Sequence, residues 1–292
     1  MKNLIIGLGE VLWDCLPGGK KLGGAPANFA YHVGQLGFDA FAVSAVGNDP
    51  LGDEAIALFE HKKLQYIMPR VDFPTGTVDV LLDSHGVPSY NIKQGVAWDN
   101  IPLNDEIQRL AQECRAVCWG SLAQRNSISC NTINAFLKGT SKDCLKIFDI
   151  NLRQNFYSIE ILQKSMDCCD ILKINDEELV IIEQLFNIHG IDMQNVCWLL
   201  MDKFNLKILV LTCGENGSYV FSQNSMSYMD TPKVKVVDTV GAGDSFTGSF
   251  VASLLKGKSI SEAHRSAVEI SAYVCTQDGA MPEIPENLIR QL

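Results

Sequence analysis

The chain has 292 residues, 47% of them hydrophobic, enough for a sizeable core in one large α/β domain or two small ones. A formal charge of -10 argues against a nucleic-acid groove or an anionic membrane surface as partner, because each would repel the molecule as a whole. No segment approaches the length of a membrane span, and ten scattered cysteines without an export signal read as reduced thiols of a cytoplasmic protein.

Leu4 to Leu8 reads as a first buried strand, stopped by Glu10 and too short for a secretory segment. Asp14 follows it, either as an acceptor for two neighbouring hydroxyls or as a solvated loop acid. Gly23-Gly24-Ala25-Pro26-Ala27-Asn28 then opens a helix over Ala27 to Leu36, with Pro26 suited to the first turn. Its glycines permit close approach to a ligand, and Asn28 offers a donor and an acceptor to a sugar hydroxyl. A helix entry with no ligand explains the same residues.

A strand over Ala40 to Val46 and a helix over Gly52 to Lys62 come next. Thr77 to Leu82 and Ser89 to Lys93 flank the turn-like Asp83-Ser84-His85-Gly86 and predict an antiparallel flap. Further strands fall at Ala116 to Trp119, Leu145 to Ile150, Ile171 to Ile174 and Ile208 to Leu211. Helices are expected over Asn131 to Leu137, Asp176 to Phe186 and Met193 to Phe204, the alternation of a parallel sheet covered on both faces. Cys114 and Cys118 are spaced to share a helical face, but no second Cys/His pair accompanies them, so buried thiols are expected there. No Pro/Gly/Ser linker or repeat divides the chain, which is read as one domain.

Asp149-Ile150-Asn151-Leu152-Arg153 stands at the carboxyl end of a strand, where open α/β sheets place ligands. Arg153 is the best-placed cation for phosphate oxygens, and a salt bridge between Asp149 and Arg153 is the plainer alternative. Asn175 and Glu178 have capping-box spacing, and Glu178 could in addition orient waters around magnesium. Thr212-Cys213-Gly214-Glu215-Asn216-Gly217 leads into a strand-like Ser218 to Phe221; it is a hairpin turn, or one whose Thr212 hydroxyl and Gly214 amide touch nucleotide phosphates.

The most informative stretch is Val236 to Phe246. Val234 to Val237 reads as a strand, while Phe246, Phe250 and Leu254 recur at helical spacing, so Gly241-Ala242-Gly243-Asp244 should open a helix. Unpaired amides and the positive end of the helix macrodipole favour an anion there. A carboxylate beside such a site needs a separate task, and accepting a hydroxyl proton during phosphoryl transfer is one; a helix-stabilising Asp is the other reading. Neither a Gly-x4-Gly-Lys-Ser/Thr loop nor a Gly-x-Gly-x-x-Gly after the first strand is present.

Taken in order, these motifs resemble the ribokinase or PfkB carbohydrate kinases over essentially the whole length. Gly23 to Asn28 with Gly34-Gln35-Leu36-Gly37 and Gly47-Asn48-Asp49-Pro50-Leu51-Gly52 matches the early signature, and Asp238-Thr239-Val240-Gly241-Ala242-Gly243-Asp244 the late one. Gly-Gly-Ala-Pro-Ala-Asn, Gly9-Glu10-Val11-Leu12-Trp13-Asp14 and Asp149-x-Asn151-x-Arg153 resemble the fructokinase branch. Lys93-Gln94-Gly95-Val96-Ala97-Trp98-Asp99 departs from the Arg-Gly-Ala-Asp pattern of many fructokinases.

The resemblance implies an α/β fold, a ribokinase-like three-layer αβα sandwich with a mostly parallel central sheet and a small β-lid, here about residues 11–22 and 70–98. It implies ATP as donor, Mg²⁺ as the ion bridging phosphates and transfer to a primary hydroxyl of a ketohexose, fructose first. Another small polyol-like acceptor such as 2-keto-3-deoxygluconate, another sugar or a nucleoside is the alternative, and a silent sugar-binding sensor a second. Asp244 is then the catalytic base, with the amides of Gly241, Ala242 and Gly243 as anion hole and Arg153 near the transferred group. Asp14, Gly23, Gly24, Asn28 and Asp149 belong to the sugar side; Asn175, Thr212, Gly214, Gly217, Gly241 and Gly243 to the nucleotide; Glu178 to magnesium through water. Backbone carbonyls around Asp238, Val240 and Gly279 are where the resemblance puts K⁺. Lids in the family often pair, which implies a homodimer.

Overall fold

A computed structural model describes residues 3–16, 18–82, 88–223 and 225–290. The expected turn at 83–86 therefore lies outside the described residues. In chain order the first half holds β1 (Leu4–Leu8), β2 (Leu12–Leu16), β3 (Gly19–Gly23), α1 (Ala25–Gln35), β4 (Asp39–Val43), β5 (Val46–Gly47) and α2 (Pro50–His61). It continues through β6 (Gln65–Ile67), β7 (Arg70–Val71), β8 (Gly76–Leu82), β9 (Pro88–Ile92), α3 (Asp105–Glu113), β10 (Ala116–Trp119) and α4 (Ser127–Gly139). The second half holds β11 (Leu145–Asp149), α5 (Ile159–Cys168), β12 (Ile171–Asn175), α6 (Asp176–Leu185), α7 (Met193–Phe204) and β13 (Ile208–Thr212). Then follow β14 (Ser218–Ser222), β15 (Ser225–Met229), α8 (Ala242–Leu255), α9 (Ile260–Cys275) and α10 (Glu286–Ile289).

Side chains along the central strands divide by parity. Leu4, Ile6 and Leu8 of β1 enter one core and Ile5 the other; in β13 Leu209 and Leu211 face the first, Ile208 and Val210 the second. That period of two arises because successive strand residues point to opposite faces, and here both faces are covered. The first core is closed by α3 to α7 through Ile107, Ile133, Leu162, Leu179 and Leu200, the second by α1, α2, α8 and α9 through Phe29, Phe59, Phe250 and Ala267. Each such large side chain contributes roughly 1.5–3 kcal/mol of burial. The result is the three-layer arrangement expected of the ribokinase-like fold.

Among the described residues the main sheet runs β15-β14-β13-β12-β11-β10-β1-β4-β6, parallel except at β13–β14 and β14–β15. Strand order turns around between β1 and β10, and open sheets of this kind place ligands beyond the carboxyl ends of the strands at such a point, here β1 and β10 to β13. A second sheet, β3-β2-β8-β9, stands apart from the first and holds the expected flap pair β8 and β9 in antiparallel register.

Several elements differ from expectation. Ala40 to Val46 is two strands, because the chain leaves β4 at Val43 and Val46-Gly47 pairs with β7 instead. The helices α3, α5 and α9 fall where none was read; α3 is polar apart from the narrow stripe Ile107, Leu110 and Ala111. Val234 to Val237 is not a strand: Val236 and Val237 are 56% and 59% exposed, and among the described residues its backbone is tied by a bond from Val237 to the Cys275 carbonyl, which the next residue, Asp238, shares. Cys114 and Cys118 share no helix, since Cys114 ends α3 while Cys118 lies within β10.

Candidate active site

Two glycines set the site's backbone. Gly24 precedes α1 at φ 121°, and a Cβ there would run into the Glu10 carbonyl oxygen after β1. Gly241 precedes α8 at φ 78°, where a Cβ would lie 2.7 Å from Ala280. Only glycine occupies such positions without strain. The helices they open pack closely at Gly248, where a Cβ would come within 3.3 Å of the Phe29 carbonyl.

That packing joins the two distant motifs. Asn28, 3% exposed in the first turn of α1, donates through Nδ2 to Asp244 Oδ2 at 2.7 Å, while its Oδ1 has no protein partner among the described residues. Asp244 is half-buried as a residue, but its carboxyl turns inward onto Asn28. Burial and the Asp149 carboxylate raise its pKa to about 7, against the Asn28 bond and the positive charges of Lys173 and Arg153. A carboxyl so placed titrates near neutrality, the range in which general-base catalysis works best.

Asp149 ends β11, 5% exposed, accepting from Thr247 Oγ1 at 3.0 Å and facing Lys173 Nζ at 3.2 Å. The expected alternative of an Asp149–Arg153 pair is not formed, because Asn151 at φ 45° turns the chain and Arg153 points out, bonding the Leu152 carbonyl at 3.0 Å. Arg153 still acts on the crevice through its field, lowering the pKa of Glu10, Asp14 and Asp244. Lys173, 8% exposed, lies under the head of α8: a Cβ on Gly243 would be 3.1 Å from its Nζ. Burial alone would discharge this lysine, but Asp149, Glu178 and Asp244 outweigh it and hold it charged.

Of the three amides expected to form an anion hole, one is already bonded. Ala242 donates its N–H to the Thr239 carbonyl at 3.2 Å, the closing bond of the turn that precedes the helix, so this amide is not free. Gly241 and Gly243 have no such partner among the described residues.

Asp14 is half-buried on β2 with its Oδ2 2.9 Å from where a Gly23 Cβ would stand; burial raises its pKa, Arg153 lowers it and Asp238 raises it. Asn175 caps α6: its Oδ1 accepts from Glu178 N at 2.7 Å, and Glu178 Oε2 accepts from Asn175 N at 2.9 Å. Glu178 Oε1 takes Leu152 N at 2.9 Å, so this buried carboxylate has one backbone amide on each oxygen. Its spare lone pairs fit a hydrated magnesium ion through water better than a direct ligand. Thr212 ends β13 opposite Asn175 in register, which brings these two residues together. Gly214 is exposed beside them at φ 53°. Gly217 is not part of this group: it is buried in the hairpin, where a Cβ would meet the Met229 carbonyl at 2.5 Å.

At the expected potassium site the carboxylate of Asp238 is already engaged. Asp238 Oδ1 accepts Val240 N at 3.0 Å, and Oδ2 accepts Gly279 N at 3.2 Å while pairing with Lys21 Nζ at 3.1 Å. A second cation about 4 Å from that ammonium would be repelled by roughly 4 kcal/mol near a protein surface.

Three groups of this crevice were missed in the sequence: Lys173, Thr247 and Glu10 as a site residue. Lys173 carried a signal, a lone charge inside the apolar run Ile171 to Ile174. Glu10 is buried with Oε2 unpartnered among the described residues, and burial raises its pKa against its own and the Ala25 amides and Arg153. Thr247 gave no sequence signal, because its role is defined by Asp149, 98 residues away. On the flap side, Asp99 is held by Gly95 N at 2.9 Å and by Arg125 Nε at 2.7 Å, so the departing Lys93 to Asp99 segment is fixed from within.

An uncharacterized sugar kinase of Pyrococcus horikoshii is 28% identical over 249 residues, covering 82% of this chain and 76% of that one. Its crystal structure in complex with ATP superposes with a TM-score of 0.80, covering 95% and 93% of the two chains at 25% identity. Fructokinase-2 of Oryza sativa subsp. japonica is 27% identical over 318 residues, 99% of this chain and 93% of its own. A double mutant of the fructokinase of Vibrio cholerae O395, crystallised with fructose, ADP and potassium ion, shares the fold with a TM-score of 0.82, covering 100% and 98% at 24% identity. The description "pfkB family carbohydrate kinase" matches residues 10–287, and the chain belongs to that family.

Proposed function

We propose that the protein is an ATP-dependent fructokinase, which transfers the γ-phosphoryl group to the primary hydroxyl of D-fructose to give fructose 6-phosphate. The observation that carries this reading is the 2.7 Å bond from Asn28 to Asp244, which ties the sugar-side helix to a base poised near neutrality. The fructokinase-like motifs and the full-length likeness to the rice fructokinase support the choice of sugar.

Asp244 takes the hydroxyl proton as the sugar oxygen bonds to the γ-phosphorus, and the electron pair of the breaking P–O bond leaves with ADP. Asn28 engages Oδ2, which leaves Oδ1 to face the hydroxyl. Charge growing on the phosphoryl oxygens meets the Gly241 and Gly243 amides, Lys173 below them and Arg153 at the mouth. Losing one such preorganised donor costs roughly 3 kcal/mol in comparable anion holes. Asp14, Gly23 and Gly24 flank the sugar; Asn175, Thr212 and Gly214 line the nucleotide side. Magnesium, when bound with the nucleotide, neutralises phosphate charge, and Glu178 would hold its water shell.

The test is ADP release over a panel of fructose, ribose, other hexoses, 2-keto-3-deoxygluconate and nucleosides, with the phosphorylated carbon assigned by ³¹P and ¹³C NMR. Fructose 6-phosphate as the fastest-formed product is expected. A preferred acceptor other than fructose overturns the sugar, and ADP release from none of them overturns the kinase.

A further inference from the structure

Lys21 lies on β3, opposite Asp14 of β2 in register, so a strand pair carries both a sugar-side acid and a cation. From there its Nζ leaves the small sheet and reaches Asp238 at 3.1 Å and Asp278 at 2.5 Å, more than two hundred residues along the chain. Both carboxylates keep the ammonium charged. Asp238 in turn binds the two backbone segments on which the phosphate turn rests, through Val240 N and Gly279 N. Gly241 follows directly, packed against Ala280. One positive charge thus sits on the carboxylate that fixes the head of α8, at a place the proposed chemistry leaves unused.

We propose that Lys21 is a tethered monovalent cation, so that this chain holds its phosphate turn in shape without dissolved potassium. An ammonium and a potassium ion are singly charged cations of similar size and take the same oxygen partners. The tether supplies the cation from within the chain at any potassium concentration, and ties the turn to the strand beside Asp14. The proposal rests on the kinase reading above.

Its test compares salts at constant ionic strength. ADP release from ATP with fructose as acceptor, by the full chain in tetramethylammonium, sodium and potassium chloride, should agree within about twofold, since no ion-binding free energy enters. Lys21→Met should lose about tenfold or more in tetramethylammonium and regain much of it in potassium, the vacated charge now being supplied from solution. Lys21→Arg should keep its salt independence. Stimulation of the unaltered chain more than about fivefold by potassium overturns the proposal, because it shows a linked ion site. Full turnover of Lys21→Met in tetramethylammonium overturns it as well.

A readout without turnover separates this from failure of the kinase reading. Hydrogen exchange across 238–244 and 275–281 of the unaltered chain should be the same in tetramethylammonium and potassium. Protection gained only in potassium overturns the tethered cation, even if no sugar is ever phosphorylated. If Lys21→Met proves unfolded by circular dichroism, this measurement on the unaltered chain decides alone.

Discussion

Asn28 Nδ2 and Asp244 Oδ2 stand 2.7 Å apart across 216 residues of chain. The bond exists because α1 and α8 pack side by side at Gly248, and it brings two separate helix entries together.

Asp244→Asn should lower kcat by about 10²- to 10⁴-fold, the usual worth of a positioned general base. The Asn28 contact and the helix head survive the change, so circular dichroism and ATP binding by calorimetry should alter little. Near-normal turnover would remove Asp244 as the base.

The pH profile follows from the same residue. Its pKa in the folded chain, about 7, lies above the ordinary carboxylate value of 3.8, so the proton is held more tightly when folded. Activity should therefore rise with pH through an acid limb near 7 in kcat/KM. Stability moves the other way: the cost of burying the charge is absent below about pH 4, grows to about pH 7 and is constant above it. Thermal melts of Asp244→Asn against the unaltered chain should show a stability gain at pH 8 that vanishes at pH 4.

Lys173→Met leaves Asp149 buried and uncompensated, a change that costs roughly 3–5 kcal/mol when one partner of a buried pair is removed. Urea unfolding reads this loss. Lys173 also lowers the Asp244 pKa, so the acid limb of surviving activity should move to higher pH. A limb that stays in place would separate Lys173 from the base.

Gly241→Ala forces a side chain onto a left-handed residue and into Ala280 at 2.7 Å. Strain of roughly 1–3 kcal/mol should fall on the phosphate turn. The expected result is a weaker grip on ATP and a lower kcat, measured in steady state, with the far-UV spectrum retained.

Arg125→Met removes the guanidinium that grips Asp99 and stacks 4.0 Å above the Trp98 ring. Asp99 would keep its Gly95 amide but lose its charge partner, at a cost of roughly 3–5 kcal/mol. Chemical denaturation should show it, and Arg125→Lys should restore only part, since a lysine cannot fork onto both carboxylate oxygens.

Local pattern alone determined a good deal. Apolar runs such as Ile208 to Leu211 and the spacing of Phe246 and Phe250 fixed strands and helices, because those periods are imposed by backbone geometry. The glycine entries at Gly24 and Gly241 were legible for the same reason, as was the Asn175–Glu178 capping box. Val234 to Val237 misled, since β-branched residues make a strand only where a neighbouring strand accepts their hydrogen bonds, and among the described residues none runs beside them. Tertiary structure decided the rest: that Asp149 pairs with Lys173 and not Arg153, that the Ala242 amide is spent on Thr239, and that Lys21 reaches Asp238. Those partners meet only after strands and helices distant in sequence have packed, and the energy of a charge depends on what surrounds it, which no linear spacing records.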